Sequence, residues 1–153
     1  MPVDVNKTIA AARSQKGIPY SWGGGHGAKP GKSLGTCQWY SGPKPCKADK
    51  TVGFDCSGLV RYAVYLGTGK KIDIGKGGNT TSQYNDARVQ HISAASRRAG
   101  DIVFFGTTSN IYHVALYIGK INGKEMMIEA QKTGVPVHEV PLRLSNGLWA
   151  RVK

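Results

Sequence analysis

The sequence predicts an α+β fold in which helices pack on one curved antiparallel β-sheet. Apolar residues at helical spacing are concentrated in the first half of the chain, around residues 5–16 and 55–66. Runs of alternating and β-branched residues dominate the second half. These runs follow one another too closely for parallel crossovers, so we expect antiparallel pairing. A length of 153 residues suits one domain, and we expect residues 1–153 to form a single unit.

Each helix has recognisable ends. Asp4 is placed to cap the helix over residues 5–16, and Gly17 follows it. Asp55 is placed to cap the helix over residues 55–66, which also ends at a glycine. A third, short helix is expected near residues 80–87. Strands are predicted over residues 101–105, 113–120, 125–131, 135–140 and 148–152.

Residues 25–53 are rich in glycine and proline and have no periodicity, so we interpret them as a loop insertion. Cys37 and Cys46 lie within it and could form a disulfide in an oxidising compartment, leaving Cys56 as a free thiol. The alternative is that all three cysteines are reduced and that Cys37 and Cys46 are inert. Spacing alone does not decide between these two.

The net charge of +12 favours polyanionic partners such as nucleic acid, an anionic membrane or an acidic cell-wall polymer. The basic residues are scattered, without the dense run or interleaved aromatics of nucleic-acid modules, so we expect no nucleic-acid binding. No apolar stretch approaches the roughly 20 residues of a membrane span. The first thirty residues contain no apolar core of a signal peptide.

Cys56 is the candidate nucleophile. It stands at a predicted helix start, where unpaired N–H groups and the helix dipole favour a thiolate. Ser57 and Gly58 make the first turn small, which leaves room for a carbonyl near backbone donors. The alternative is that Cys56 is a small core residue, the commoner role of a free cysteine.

His113 is the candidate general base, since it opens the most strongly strand-like run of the chain. Glu129 and Gln131 are the candidates to orient its ring. With a two-residue turn at residues 122–123, paired residue numbers add to 245 and both candidates face away from His113. A three-residue loop over residues 121–123 makes the sum 244, with Gln131 opposite His113 and Glu129 diagonal to it. We therefore predict the three-residue loop.

Two ligand sites fail on spacing. A phosphate-binding loop over residues 27–33 would need glycine where His26 stands, and no strand precedes it. A zinc site built from the three cysteines lacks the short ligand spacing that zinc sites usually show. We expect neither a metal nor an organic cofactor.

Four segments in this order resemble the NlpC/P60 family of papain-like cell-wall cysteine peptidases. They are residues 19–24 (PYSWGG), 54–60 (FDCSGLV), 100–105 (GDIVFF) and 113–119 (HVALYIG). The resemblance covers most of the chain and implies the papain-like NlpC/P60 fold. The stretch between Gly25 and Phe54 is longer than the family pattern, and we expect it to border the cleft and restrict which stem peptide enters.

The resemblance also implies a site and a reaction. Cys56 matches the nucleophile, His113 the base, and Glu129 the third polar position, where histidine is frequent in the family. Tyr20 matches a tyrosine on the oxyanion side of the cleft. Asp55 and Ser57 match positions that hold the free amino end of a stem peptide. The implied activity is hydrolysis of peptidoglycan stem peptides, typically between D-glutamate and the following diamino acid.

Several alternatives remain open at the level of sequence. The chain could remodel walls or act as an antibacterial toxin domain with an acidic immunity or inhibitor partner. It could also be an amidase, an acyltransferase or transpeptidase using the same acyl-cysteine, or a non-catalytic wall-binding module. We expect a monomer that acts outside the cytoplasm, secreted or periplasmic and associated with the cell wall.

Overall fold

The computed structural model describes residues 3–143 and 147–153, and it confirms an α+β architecture. The α-helices among these residues are α1 (Val5–Arg13), α2 (Cys56–Gly67) and α3 (Thr80–Tyr84). The strands are β1 (Ser33–Leu34), β2 (Val52–Gly53), β3 (Val89–Ile92), β4 (Ile102–Thr107), β5 (Asn110–Ile121), β6 (Lys124–Glu129), β7 (His138–Pro141) and β8 (Leu148–Val152). Short 3₁₀ segments cover Ala48–Lys50, Ile74–Gly77 and Ala94–Ser96.

Six of these strands form one antiparallel sheet in the order β3-β8-β4-β5-β6-β7. The predicted antiparallel pairing is therefore confirmed, while β3 had not been predicted. Strands β1 and β2 form a separate two-stranded ladder inside the loop segment between α1 and α2. The site thus has a sheet on one side and the start of α2 on the other.

The central strand β5 is buried on both faces. Helix α2 packs on one face, with Val60 and Val64 in a cluster that includes Val114. Neighbouring residues of a strand point in opposite directions. Ala115 and Tyr117 accordingly belong to another apolar cluster, with Val103, Phe105, Met127 and Trp149. Burial on both sides fixes the strand that carries His113.

Both long helices have the predicted N-caps, but α1 is shorter than expected. Asp4 accepts a hydrogen bond from the Lys7 N–H, and Asp55 accepts one from the Gly58 N–H. Helix α1 ends at Arg13 because the next residues form tighter turns, and Gly17 has a φ of 86°. Helix α3 likewise ends at Tyr84, before the predicted residue 87.

The strand carrying His113 begins at Asn110, so the prediction that His113 opens it was wrong. A tight connection at residues 108–109 pairs Asn110 directly with Thr107 and adds three residues to the strand. On the neighbouring strand, pairing stops at Glu129 and the predicted residues 130–131 lie outside it. Strand β7 starts at His138, later than the predicted 135.

The predicted three-residue hairpin loop was also wrong. The turn is the two-residue Asn122-Gly123, with φ values of 53° and 80°, and Ile121 pairs with Lys124. A β-bulge between Tyr117 and Gly119 then shifts the register by one residue, so that Leu116 pairs with Ile128. The pairing needed at the site is present, but the bulge produces it.

In the part of the chain that the structure describes, no helix is long and apolar enough to cross a membrane.

Candidate active site

Cys56 lies in the first turn of α2, pressed against the glycine-rich segment that precedes it. A Cβ on Gly58 would lie only 2.9 Å from the Gly25 Cα and closer still to the Gly24 carbonyl oxygen, so only glycine allows this approach. Tyr20 bridges to Phe54, which brings the tyrosine beside the helix start. The local chain path therefore places a phenol next to the thiol.

Arg61 of α2 holds the glycine-rich segment through hydrogen bonds to its backbone. Its side chain is 2% exposed, and Nη1 donates to the carbonyl oxygens of Gly25 and Gly27 at 3.0 and 2.9 Å. Nε and Nη2 form a two-pronged ion pair with Asp73. A buried guanidinium needs this many acceptors to be stable. Sequence patterns did not reveal this role, because Arg61 occurs where the helix period allows either exposure or burial.

The charge of Cys56 differs from the expectation. Burial raises the pKa of the Cys56 thiol to about 12, and the nearby Asp55 carboxylate adds to the rise. The N–H groups of Val114, Ser57 and Cys56 itself lower that pKa, but by less. The helix start therefore supplies the predicted donors, but burial favours the neutral thiol over the predicted thiolate.

Tyr20 remains a hydrogen-bond donor over the whole working range of pH. Burial raises the pKa of its phenol, and the Cys56 sulfur once ionised and the Asp55 carboxylate raise it further. A phenol in this state carries its proton and can donate to an oxygen that gains negative charge. This location fits the oxyanion position that the family resemblance implied for Tyr20.

His26 contacts both Asp55 and Ser57, a role that the sequence did not indicate. His26 Nε2 lies 2.7 Å from Asp55 Oδ1 and 3.1 Å from Ser57 Oγ. The Ser57 hydroxyl also donates to Asp55 Oδ1 at 3.2 Å. The three side chains form one polar cluster directly beside Cys56. No sequence pattern marks His26, because its contacts depend on how the glycine-rich segment folds.

On the sheet side, His113 is held by Glu129. His113 Nε2 lies 2.8 Å from Glu129 Oε1, and Glu129 is fully buried. This contact commits Nε2 and leaves Nδ1 as the nitrogen for proton exchange. The Phe105 ring packs 5.1 Å from the His113 ring, centroid to centroid, and limits its rotation. The predicted diagonal relation between His113 and Glu129 is present.

Glu129 has two further partners that the sequence did not suggest. Arg143 donates from Nη1 to Oε2 and from Nη2 to Oε1, both at 2.7 Å, and His138 Nε2 lies 2.9 Å from Oε2. Arg143 also stacks over the Phe105 ring at 5.5 Å. His138 is opposite Glu129 in the β6–β7 ladder. With the observed register of β7, the sequence would have predicted His138 opposite Glu129. No sequence pattern indicates Arg143.

These partners decide the charge of Glu129. Burial alone would raise its pKa, but hydrogen bonds from Arg143, His113 and His138 lower it to about 2. The carboxylate is therefore ionised throughout the neutral range. It can stabilise positive charge on the His113 ring without taking up a proton itself.

Gln131, the alternative orienting residue, lines a pocket beside His113 and makes no hydrogen bond to it among the described residues.

Cys37 and Cys46 form a disulfide, so Cys56 is the free thiol. The loop that this disulfide closes borders the Tyr20 side of the site. Tyr40 and Thr133 line a small pocket of about 90 Å³ together with Tyr20. No group of three metal-ligating side chains is found within residues 3–143 and 147–153.

A family model described as the NlpC/P60 family matches residues 17–151. The chain belongs to the NlpC/P60 family. Among curated proteins it is 40% identical over 141 residues to peptidoglycan endopeptidase RipA of Mycolicibacterium smegmatis, covering 92% of this chain and 24% of that protein. It is 40% identical over 139 residues to peptidoglycan endopeptidase RipB of Mycobacterium tuberculosis, covering 91% of this chain and 48% of that protein. The chain thus spans a quarter to a half of these relatives.

Solved NlpC/P60 structures agree with the fold. RipB of Mycobacterium tuberculosis superposes with a TM-score of 0.71 at 36% identity, covering 98% of this chain and 65% of that one. RipD of the same organism superposes with a TM-score of 0.73 at 30% identity, with complete coverage of both chains. RipD is described as a non-catalytic NlpC/p60 domain protein adapted to peptidoglycan binding.

Proposed function

We propose that this NlpC/P60 chain is a cysteine peptidase that hydrolyses peptidoglycan stem peptides, at the bond between D-glutamate and the following diamino acid. One observation carries the proposal. A histidine held at 2.8 Å by a buried, ionised glutamate lies next to Val114, whose N–H donates to the only free thiol among the described residues. That arrangement matches a nucleophile, a base and an orienting group.

The first half of the proposed reaction makes an acyl-enzyme. His113 Nδ1 takes the proton of Cys56 as the sulfur attacks the amide carbonyl carbon. The oxyanion that forms accepts hydrogen bonds from backbone N–H groups at the start of α2 and from the Tyr20 hydroxyl. The C–N bond then breaks, and the proton on His113 passes to the departing amine.

The second half releases the acid. His113 takes a proton from water, and the resulting hydroxide attacks the thioester carbonyl. The C–S bond breaks and the sulfur regains its proton from His113. Glu129 stays negative in both halves and stabilises the imidazolium each time it forms. No step needs a metal or an organic cofactor.

The relatives support this assignment of roles. Three solved RipA structures carry a substitution, one at a cysteine, one at a histidine and one at a glutamate, the same three residue types as Cys56, His113 and Glu129. We propose residues 1–153 as one catalytic unit with an insertion at 25–53 that limits stem-peptide entry. The disulfide and the wall-acting relatives favour a secreted or periplasmic, wall-associated location.

The likeness to RipD favours a second candidate function, a wall-binding module without catalysis. An acyltransferase would share the acyl-cysteine and differ in the acceptor. The biological setting, wall remodelling or an antibacterial toxin with an acidic inhibitor, follows from neither chemistry.

Mass spectrometry of purified muropeptides separates these functions. We expect wild type to release fragments with a new amine and a new carboxyl end, and Cys56→Ala to release none. Incorporation of ¹⁸O from labelled water into the new carboxyl end would indicate hydrolysis, and a new amide would indicate acyl transfer. Binding of sacculi without any new fragment from wild type would favour the RipD-like role.

A further inference from the structure

A pocket of about 310 Å³ opens beside His113, outside the cluster that holds Glu129. Its lining residues are Phe105, Tyr112, His113, Gln131, Lys132 and Arg143. The volume is near the lower end of ligand pockets and is enough for one amino-acid residue. One wall is the histidine that, under the proposed function, gives its proton to the departing amine.

That wall assigns the pocket to one part of the substrate. The departing nitrogen must come within hydrogen-bond reach of His113 to receive the proton. Tyr20 and Asp55 lie at the Cys56 side, where the acyl portion is bound. The residue that carries the departing amine must therefore extend past His113 and into this pocket.

The net charge of the pocket indicates which kind of substrate group it can bind. None of the described residues that line it is acidic. The charge of Arg143 is matched by Glu129 through two hydrogen bonds of 2.7 Å. Lys132 is exposed, and its ammonium has no hydrogen bond or ion pair with any residue the structure describes. The pocket therefore retains about one positive charge, located on Lys132.

The backbone holds Lys132 in place. Lys132 forms an isolated antiparallel bridge with Val135, and the Val135 N–H donates to the Lys132 carbonyl oxygen at 3.0 Å. Beside it, Gln131 and the 69%-exposed Tyr112 supply neutral donors. A cation flanked by two neutral donors is suited to a carboxylate.

We propose that this pocket is the leaving-group subsite and that Lys132 selects substrates whose departing residue carries a free carboxylate. The proposal rests on the proposed hydrolysis at Cys56. Lys132 is a specificity-determining residue that touches substrate and takes no part in proton transfer. A substrate with this carboxylate converted to the primary amide keeps its shape and loses the charge, so it tests whether the pocket recognises that charge.

The test compares two stem peptides that differ only in whether the departing residue carries a free carboxylate or its amide. We expect wild type to favour the free carboxylate by about tenfold in kcat/KM, mainly through KM. Lys132→Gln should reduce this ratio to about one, and Lys132→Arg should restore most of it. Lys124→Gln removes the same charge at the far end of the β5–β6 hairpin and should keep the ratio.

Binding separates failure of this proposal from failure of the proposed function. Calorimetric titration of the amine product into Cys56→Ala needs no catalysis, and adding Lys132→Gln should weaken it about tenfold. Equal use of the two substrates by wild type, or equal product binding with and without Lys132, would overturn the subsite. Cleavage of neither substrate, with product binding still dependent on Lys132, would overturn only the hydrolase.

Discussion

The two halves of the site treat negative charge in opposite ways. On the sheet side, hydrogen bonds from Arg143 and two histidines outweigh burial and lower the pKa of Glu129 to about 2. On the helix side, burial and Asp55 outweigh three N–H donors and raise the pKa of Cys56 to about 12. The surroundings thus favour the charged form of the carboxylate and the neutral form of the sulfur.

The difference indicates which side of the site supplies a fixed charge. A permanent anion at Glu129 makes a positive charge on His113 favourable, because the two are in direct contact at 2.8 Å. Under the proposed function, that preference allows His113 to take the proton of a thiol whose pKa is raised by burial. The sheet side is therefore preorganised, and the helix side responds to it.

The largest expected effect comes from removing the permanent anion. Glu129→Gln removes the buried charge whose lowered pKa marks its stabilising contacts, so the free energy of unfolding should fall by about 3 kcal/mol, while the partly exposed Arg143 is left to water. It should also lower kcat by about 10³–10⁴-fold, since the imidazolium loses its counter-charge. Urea unfolding and muropeptide kinetics measure the two effects.

Glu125→Gln is the matched control for that change. Glu125 lies on the same strand and pairs with Arg97, but it is partly exposed, so the stability loss should be within about 1 kcal/mol. Its kcat should remain that of wild type. Equal kinetic losses in the two variants would end the assignment of a special role to Glu129.

Acid should remove the stabilisation that Glu129 provides. Its folded pKa of about 2 lies below the unfolded value of 4.5, so its contribution is complete above pH 4.5 and declines as the pH falls to about 2. The difference in unfolding free energy between wild type and Glu129→Gln should shrink by about 3 kcal/mol across that window. A difference that stays constant from pH 7 to pH 2 would contradict the lowered pKa.

A smaller effect is expected from Arg143, which acts through Glu129 as a positioning residue. Arg143→Gln should lower kcat by about 10–100-fold, the usual range for groups that orient a functional side chain. It should also raise the pKa of Glu129, which shifts the acid limb of the pH–rate profile upward. Arg143→Lys should restore the acid limb more fully than kcat, because lysine keeps the charge without the two-pronged contact. A profile unchanged in Arg143→Gln would show a structural role only.

The smallest effect is expected on the helix side of the site, where Asp55 acts on the pKa of Cys56. Asp55→Asn removes the charge that helps to raise the pKa of Cys56 while its side-chain oxygen can still cap α2. The pKa of Cys56 should fall by about one unit. The pH dependence of alkylation by iodoacetamide measures it, with Cys56 as the reporting thiol because Cys37 and Cys46 are bonded. An unchanged profile would place Asp55 too far from the sulfur to matter.

Much of the fold, together with the positions of Cys56 and His113 on it, could be predicted because the sequence signals are local. The caps at Asp4 and Asp55 require only a short polar side chain before a helix, and their hydrogen bonds are present. The strand around residues 113–120 was visible from alternation alone. The start of that strand was not, because pairing with Thr107 extends it.

The remainder of the site depends on contacts across long stretches of sequence. The bulge at Gly119 replaces the predicted loop as the source of the register, since a Gly with positive φ can serve a bulge or a turn equally well. Arg143 reaches Glu129 from beyond β7, and His26 reaches Asp55 across the insertion. Neither position has a periodic pattern that marks it.

The most direct test of the central claim, that Cys56 becomes acylated, uses a stem peptide whose departing residue is replaced by p-nitroaniline. This good leaving group should make acylation faster than hydrolysis. The account predicts a burst of about one p-nitroaniline per chain and a thioester mass on the peptide that contains Cys56, both absent in Cys56→Ala. Steady release without a burst, together with an acyl group on another residue or cleavage by Cys56→Ala, would contradict it.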